Sequence, residues 1–503
     1  MFDVFTRKHV RSAPRDRRME PSLTYPQWNR GKRILAAHTR PSMLIAICML
    51  VIVGCSSVSP STSTESTSSI PTATTPPTPT TPTTPTTVID TDWTTYHGNN
   101  TRTGYVANMP DPHKLTRAWK VRLDGAVYAS PLVVGGHVIV VTEGDSLYSL
   151  DMHTGQTQWH THVGTPVPRS TLPCGDIDPL GITGTPVYDP ATGLVFAVAE
   201  VSGPAHILVG VDVNTGQVKV RRSADAPGME PRPQQQRSAL LLSQGIVYIA
   251  YGGLAGDCGN YHGWVVGLRT DGQGAMRVFQ VPTTRQGGIW APAGPAVDAK
   301  GNIYVAVGNG AATQGSWDHS DSILRLSPKL QLEDGFAPTG WQRENAVDAD
   351  LGSMGPLLLP GGLIFADGKS GKGYLLKADD LGGIGGQALV MTICHAYGGA
   401  AAVGSIIFIP CSNGMMQAQV GPGIRLKPGW KAPHLVAGSP VVGGHTVYNL
   451  DAHNGILYAF NMDTGAVIAS APVGQASRFA TPALAGSYIF VGTFTGISAV
   501  MES

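Results

Sequence analysis

From about residue 118 onward, short runs of β-branched and aromatic residues alternate with clusters of Gly, Pro, Asn and Asp. Val138–Val141, Leu194–Val198, Ile246–Ala250, Ile303–Val307 and Ile406–Ile409 are the clearest runs. Each is apolar at successive positions rather than at alternate ones, which predicts strands covered on both faces. Pairs such as Gly301-Asn302 and Gly443-Gly444 lie ahead of similar runs and read as hairpin turns, where glycine supplies the positive φ of a tight reversal. Helical periodicity is hard to find after residue 110.

The runs recur in register. A small residue followed by Pro opens most units, at Ser130-Pro131, Thr185-Pro186, Gly294-Pro295, Gly355-Pro356, Ser439-Pro440 and Thr481-Pro482, and Ser238-Ala239 and Gly399-Ala400 fill the two wider gaps. This makes eight units, each of roughly 40 to 60 residues. A hairpin unit that cannot bury its own faces must stack on copies of itself. The expected fold is therefore all-β, an eight-bladed β-propeller of four-stranded antiparallel sheets. After Thr481-Pro482 the chain has room for only about three strands of a blade. The segment Ala118–Arg122, with Trp119 placed as Trp159 is in the next unit, is expected to supply the fourth and close the ring, leaving no open sheet edge.

Composition agrees with a turn-rich β protein: 63 of 503 residues are Gly and 14% are charged. A formal net charge of +1 gives no electrostatic basis for a nucleic-acid partner. The first hundred residues are of another kind. Lys32-Arg33 and Arg40 precede an apolar run from Met43 to Val53, short for a bilayer span but suited to a signal-peptide core. It ends in Ile52-Val53-Gly54-Cys55, which resembles a bacterial lipobox, whose Cys receives diacylglycerol; an uncleaved anchor is the alternative, and Met19 is a second candidate start. The expected organisation is a signal peptide with a long basic leader at 1–54, a lipid-anchored Ser/Thr/Pro tether at 55–88 and the propeller at 89–503. The tether has too few apolar groups to fold. The expected location is outside the cytoplasmic membrane, held there by lipid on Cys55. Trp93, Tyr96-His97 and Arg102–Gly104 read as an ordered segment packed across the ring.

Apart from Cys48 and Cys55, an even four cysteines remain: Cys174, Cys258, Cys394 and Cys411. Four permit three pairings in an exported domain. Cys394 and Cys411 fall in neighbouring parts of one blade, and Cys174 and Cys258 in loops of the second and third, which favours those two pairs.

The turns Asp151–Gly155, Asp212–Gly216 and Asn461–Gly465, each ending in Thr-Gly, with Trp159 after the first, resemble the repeat of pyrroloquinoline quinone (PQQ) enzymes and of outer-membrane assembly propellers. The resemblance covers about residues 90 to 503 and is specific for fold, because both quinoproteins and cofactor-free scaffolds use the repeat. Three stretches in order resemble quinoprotein site segments: Gly287–Trp290 with Val307–Gly310, Val347–Leu351, and Gly368–Leu375. The resemblance implies that Trp290 stacks on PQQ, Asn309 helps bind calcium, Asp348 is the base and Lys369 is the cation facing a quinone oxygen; Asp257 is the substitute for a calcium-binding Glu. The chain departs from the pattern in lacking an adjacent Cys-Cys pair, in carrying Val347 and Ala349 where the family has Trp and Tyr, and in having no haem-attachment Cys-x-x-Cys-His. The leading expectation is thus a binding or envelope scaffold module acting through an end face of the ring on a protein or glycan partner. The alternatives are a calcium- and PQQ-dependent dehydrogenase of alcohols or sugars, and a carbohydrate-binding envelope module suited by the aromatic loops.

Overall fold

The computed structural model describes residues 92–432 and 437–502. The expected signal peptide, Cys55 and the tether lie outside them. Eight sheets, each built on four antiparallel strands and three of them extended by a short fifth strand, form the blades of a propeller, as the repeat count predicts. Their innermost strands, numbered here as blades 1 to 8, are Leu132–Val134, Val187–Asp189, Leu241–Ser243, Ala296–Val297, Leu357–Leu359, Ala401–Val403, Val441–Gly443 and Ala483–Ala485. Each follows one of the small-residue markers. The second strands are the apolar runs of the sequence, and Val138–Val141, Leu194–Val198 and Ile303–Val307 are buried throughout. Clusters of these side chains cross from blade to blade: Ile139 and Val141 of blade 1 pack with Val195 and Val209 of blade 2.

Blade 8 is completed from the other end of the chain. Leu115–Arg122 pairs antiparallel with Gly496–Glu502, so the ring closes through the strand that the sequence assigned to it. The Thr-Gly repeat explains how adjacent blades lock. In blade 1, Asp151 accepts hydrogen bonds from the Thr154 N–H and hydroxyl, both at 2.8 Å, and bends the chain into Gly155, φ +72°. The Trp119 ring from blade 8 lies against that glycine, where a Cβ would come within 2.7 Å of it, and its Nε1 donates to the Met152 carbonyl at 3.1 Å. Trp159 makes the same contact with the blade 2 turn, donating to Val213 O at 2.8 Å, and Trp430 with the blade 7 turn, donating to Met462 O at 2.9 Å. Trp and Thr-Gly are therefore two halves of one docking joint.

The expected N-terminal segment is present and fills the axis. Trp93 exchanges backbone hydrogen bonds with Val133 of blade 1, and Thr94 O accepts from Tyr188 N of blade 2. Asn100, Thr101, Thr103 and Gly104 then offer carbonyls to blades 4, 5, 6 and 7 in turn. Blade 3 is reached by Asn100 Nδ2, which donates to Leu242 O, and blade 8 by the His97 ring, 3.2 Å from Thr481 Oγ1. The segment thus bonds to all eight inner walls. At its centre Arg102 is 1% exposed and donates to Pro295 O, Thr95 Oγ1, Tyr96 O and Leu240 O. Both ends of the plug leave by the same face: Asp92 accepts from Gly135 N, and Tyr105-Val106 pairs in parallel with Val442-Gly443, at the hairpin turns of the inner strands. The opposite face carries the long loops between blades.

Both cysteine pairings are as expected, Cys174–Cys258 and Cys394–Cys411. One element was not foreseen. A short α-helix, Trp341–Val347, stands in the loop between blades 4 and 5, too brief to show periodicity, and buries Trp341.

Candidate functional site

The five residues singled out for chemistry come from separate segments of the loop face. Asp257 lies after the second strand of blade 3, Trp290 precedes blade 4, Asn309 follows its second strand, Asp348 precedes blade 5, and Lys369 follows that blade's second strand. All five line one cavity of about 310 Å³, together with Gln235, Arg237, Tyr261, Arg478 and Phe479.

Trp290 is fixed from several sides. Its Nε1 donates to Asp350 Oδ2 at 2.9 Å, and a Cβ on Gly308 would stand 2.7 Å from that carboxylate oxygen and 3.0 Å from Nε1. Gly252 makes room behind the Trp290 Cβ in the same way. The glycines beside Trp290 are thus required by close approach rather than by turn geometry.

Lys369 stands between two carboxylates, with Nζ 2.6 Å from Asp348 Oδ1 and 2.8 Å from Asp350 Oδ1. Its ammonium is 5.5 Å from the Trp290 ring centroid. Burial works against this charge, but Asp350 and Asp348 outweigh it and hold the lysine pKa above its ordinary value. Asp350 is fully buried, and burial raises its pKa although Lys369 opposes the rise. Asp348 differs: it caps the short helix in a left-handed conformation, φ 55°, with its side chain 61% exposed. Of the two aspartates, Asp348 is the one that offers an oxygen to a ligand.

Asp257 also has a left-handed backbone, φ +53°, and its Oδ1 accepts the Tyr261 hydroxyl at 2.5 Å. Its neighbour Cys258 is bridged to Cys174, which ties this loop to the loop before blade 2. Asn309 is buried at the cavity wall, and its backbone carbonyl accepts from Gly287 N.

Calcium takes about 6 to 8 oxygen ligands. The side chains available are Asn309 and an Asp257 already bonded to Tyr261, and among the described residues no three His, Cys, Asp or Glu side chains are grouped to hold a metal. The donor set does not fit the expected calcium site. The aromatic and cationic residues do fit a flat acid.

Sequence reading missed Arg237, Arg478, Phe479 and Tyr397. Arg237 stacks on Phe479 at 4.9 Å; Arg478 lies 4.0 Å above Tyr397 and 5.8 Å from Phe479. Phe479 meets the Trp290 ring edge-on at 6.0 Å. A signal was present: like Trp290, these residues stand one to four positions before a small-residue marker, which places them on the loop face at the head of an inner strand. Tyr96, in the axial plug, lines a separate small gap with Arg237 and Phe479, two residues of the cavity wall.

The family model for outer membrane protein assembly factor BamB matches residues 116–253. The match covers less than half of the chain and agrees with the repeat and the eight-bladed ring. The chain is a PQQ-repeat β-propeller. No curated protein sequence matches it. Among solved structures, this propeller is similar to a quinohemoprotein alcohol dehydrogenase, ADHIIG, from Pseudomonas putida HK5, with 15% identity, a TM-score of 0.65 and coverage of 82% of this chain and 80% of that one. It is similar to a europium-containing methanol dehydrogenase at 14% identity and a TM-score of 0.65, covering 82% and 98% of the two chains. It is also similar to BamB from Moraxella catarrhalis at 15% identity and a TM-score of 0.54, covering 77% and 100%. At these identities the PQQ-repeat propeller shares a fold with dehydrogenases and an assembly factor alike.

Proposed function

We propose that this protein is an exported, lipid-tethered binding propeller whose recognition site is the axial cavity of the loop face. The observation that carries this reading is the convergence of Asp257, Trp290, Asn309, Asp348 and Lys369 on one cavity. Aromatic walls with a few fixed polar groups are the usual make-up of a ligand site. Export is supported by the two disulfides, which persist in oxidising compartments, and by the lipobox-like Val53-Gly54-Cys55. The likeness to BamB supports a module that works by binding rather than by turnover; its partner is a small ligand or glycan in the cavity, or a protein chain inserting a side chain there. The test is a thermal-shift screen of envelope extracts and glycans against wild type, Trp290→Ala and Lys369→Met. A fraction that stabilises the wild type and neither variant supports the cavity. A partner retained equally by all three, on any face, sinks it.

A second reading, a PQQ-dependent dehydrogenase of alcohols or sugars, is favoured by the Trp290–Asp350–Lys369–Asp348 network. Trp290 and Lys369 would hold the quinone and Asp348 would accept the substrate proton; PQQ when bound supplies the hydride acceptor. The thin calcium donor set weighs against it. Calorimetry with PQQ and calcium decides: sub-micromolar, calcium-dependent binding with dye-linked turnover lost in Asp348→Asn establishes the enzyme.

A further inference from the structure

We infer that the Arg237–Phe479–Arg478 wall is an anion subsite, so that the cavity takes a small organic anion, bearing carboxylate or phosphate, without a metal. This rests on the cavity being the ligand site. Two guanidinium groups are held on one phenyl ring, at 4.9 and 5.8 Å from its centroid. Like charges brought this close repel one another unless a counter-charge lies near them. The protein supplies little. Arg237 has only the exposed Asp176 at 4.0 Å, and Arg478 has no hydrogen bond or ion pair among the described residues; its Nε is shut off from solvent without a partner. The other acids of the cavity are spoken for, Asp348 by Lys369 and Asp257 by Tyr261.

The arginines are also held in place. The Arg237 Cζ lies 4.9 Å from the Phe479 ring and that of Arg478 4.0 Å from the Tyr397 ring, and guanidinium donors without a hydrogen-bond partner are the groups that bind carboxylate or phosphate with paired hydrogen bonds. Across the cavity the Lys369 ammonium is matched by Asp348 and Asp350, so the two arginines are the cations left for a ligand. Since every positive charge here belongs to the chain, anion binding requires no divalent ion, which agrees with the poor fit of Asn309 and Asp257 to calcium.

The experiment follows the fluorescence of the mature chain, with Trp290 in the cavity as reporter, against PQQ, citrate, pyrophosphate and a neutral oligosaccharide, in EDTA and again with calcium. PQQ or citrate binding alone marks a carboxylate ligand, and pyrophosphate binding alone a phosphate one. The expected result is saturable binding of at least one anion in EDTA, weakened about tenfold or more in Arg478→Gln and in Arg237→Gln, with melting temperatures close to wild type. Anion binding seen only with calcium, or unchanged in both variants, overturns the inference. Binding of the neutral sugar alone overturns it too while leaving the cavity as the ligand site. No quenching by any probe, together with retained partner binding in Trp290→Ala, removes the cavity reading itself.

Discussion

At the scale of single residues, the ring stores its strain in buried acids. Glu143 and Asp145, in the loop-face turn of blade 1, are 2% and 0% exposed and have no cation bonded to them among the described residues. Burial pushes both pKa values up to about 8; for Glu143 the Gly181 N–H partly offsets this, and for Asp145 the nearby Glu143 and Glu200 add to it. A carboxyl that binds its proton more tightly folded than unfolded makes stability fall as pH rises between the two pKa values. The protein should therefore lose stability from about pH 5 to pH 8, a loss complete once both groups ionise in the fold. His206, held charged to about 9 by Glu200 and Asp225 against burial, adds a loss in the same direction above its ordinary 6.5. Denaturant titrations across this range check the sign: Glu143→Gln with Asp145→Asn should flatten the slope and leave the part due to His206 and to the other buried acids, Asp321, Asp350, Asp367 and Glu502. A slope unchanged in that double variant would refute the assignment. Nothing in the sequence marks these acids, because Glu143-Gly144-Asp145 reads as an ordinary polar turn and only the fold shows how deeply it is covered.

Among elements, the joint between blades was legible as a pattern before its mechanism was. The Thr-Gly turns and the placing of Trp119 against Trp159 foretold ring closure, since both are local in sequence and recur. The contact itself joins Trp119 to Gly155, residues of two different blades, and is visible only when the blades are assembled. The cavity divides the same way. Trp290, Asn309, Asp348 and Lys369 were found through segments that keep a family pattern, whereas Arg237 and Arg478 are marked only by their place just before an inner strand and gain their meaning from a shared neighbour, Phe479. The joint yields a thermodynamic cycle. Trp119→Ala removes a nearly buried indole and should cost about 3 kcal/mol or more. Gly155→Ala puts a methyl within 2.7 Å of that indole at φ +72° and should cost about 1 to 3 kcal/mol. In the double variant the clash is gone and only the backbone strain remains, so the two costs should fall short of additivity. Additive effects in urea unfolding would show that the glycine is needed for its φ alone.

For the whole molecule, the ring is held shut twice, once at its rim by Leu115–Arg122 and once at its axis by Trp93–Val106. The two differ in what their loss exposes. Removing the rim strand opens one blade edge, whereas removing the plug strips hydrogen bonds from inner strands of every blade and leaves buried N–H and C=O groups facing a channel. Arg102 ties plug and ring through one charged group, donating to the Pro295 and Leu240 carbonyls of the blades and to Thr95 and Tyr96 within the plug. Burial lowers its pKa only to about 10, so it is charged at neutral pH. Arg102→Met should therefore cost on the order of 3 kcal/mol, since bonds to a charged donor count for more than neutral ones and their acceptors are left unpaired. Deleting residues 93–106 should lower the melting temperature further than Arg102→Met does, while deleting 56–87, whose Ser/Thr/Pro composition predicts no core, should leave it unchanged. Because Tyr96 shares a gap with Arg237 and Phe479 of the cavity wall, the plug deletion should also weaken whatever the cavity binds, and the tether deletion should not. Differential scanning calorimetry of the three variants, with the binding assay run on each, checks both statements. Equal melting temperatures for the plug and tether deletions would mean that the rim strand alone closes the propeller and that the axial segment is a passenger.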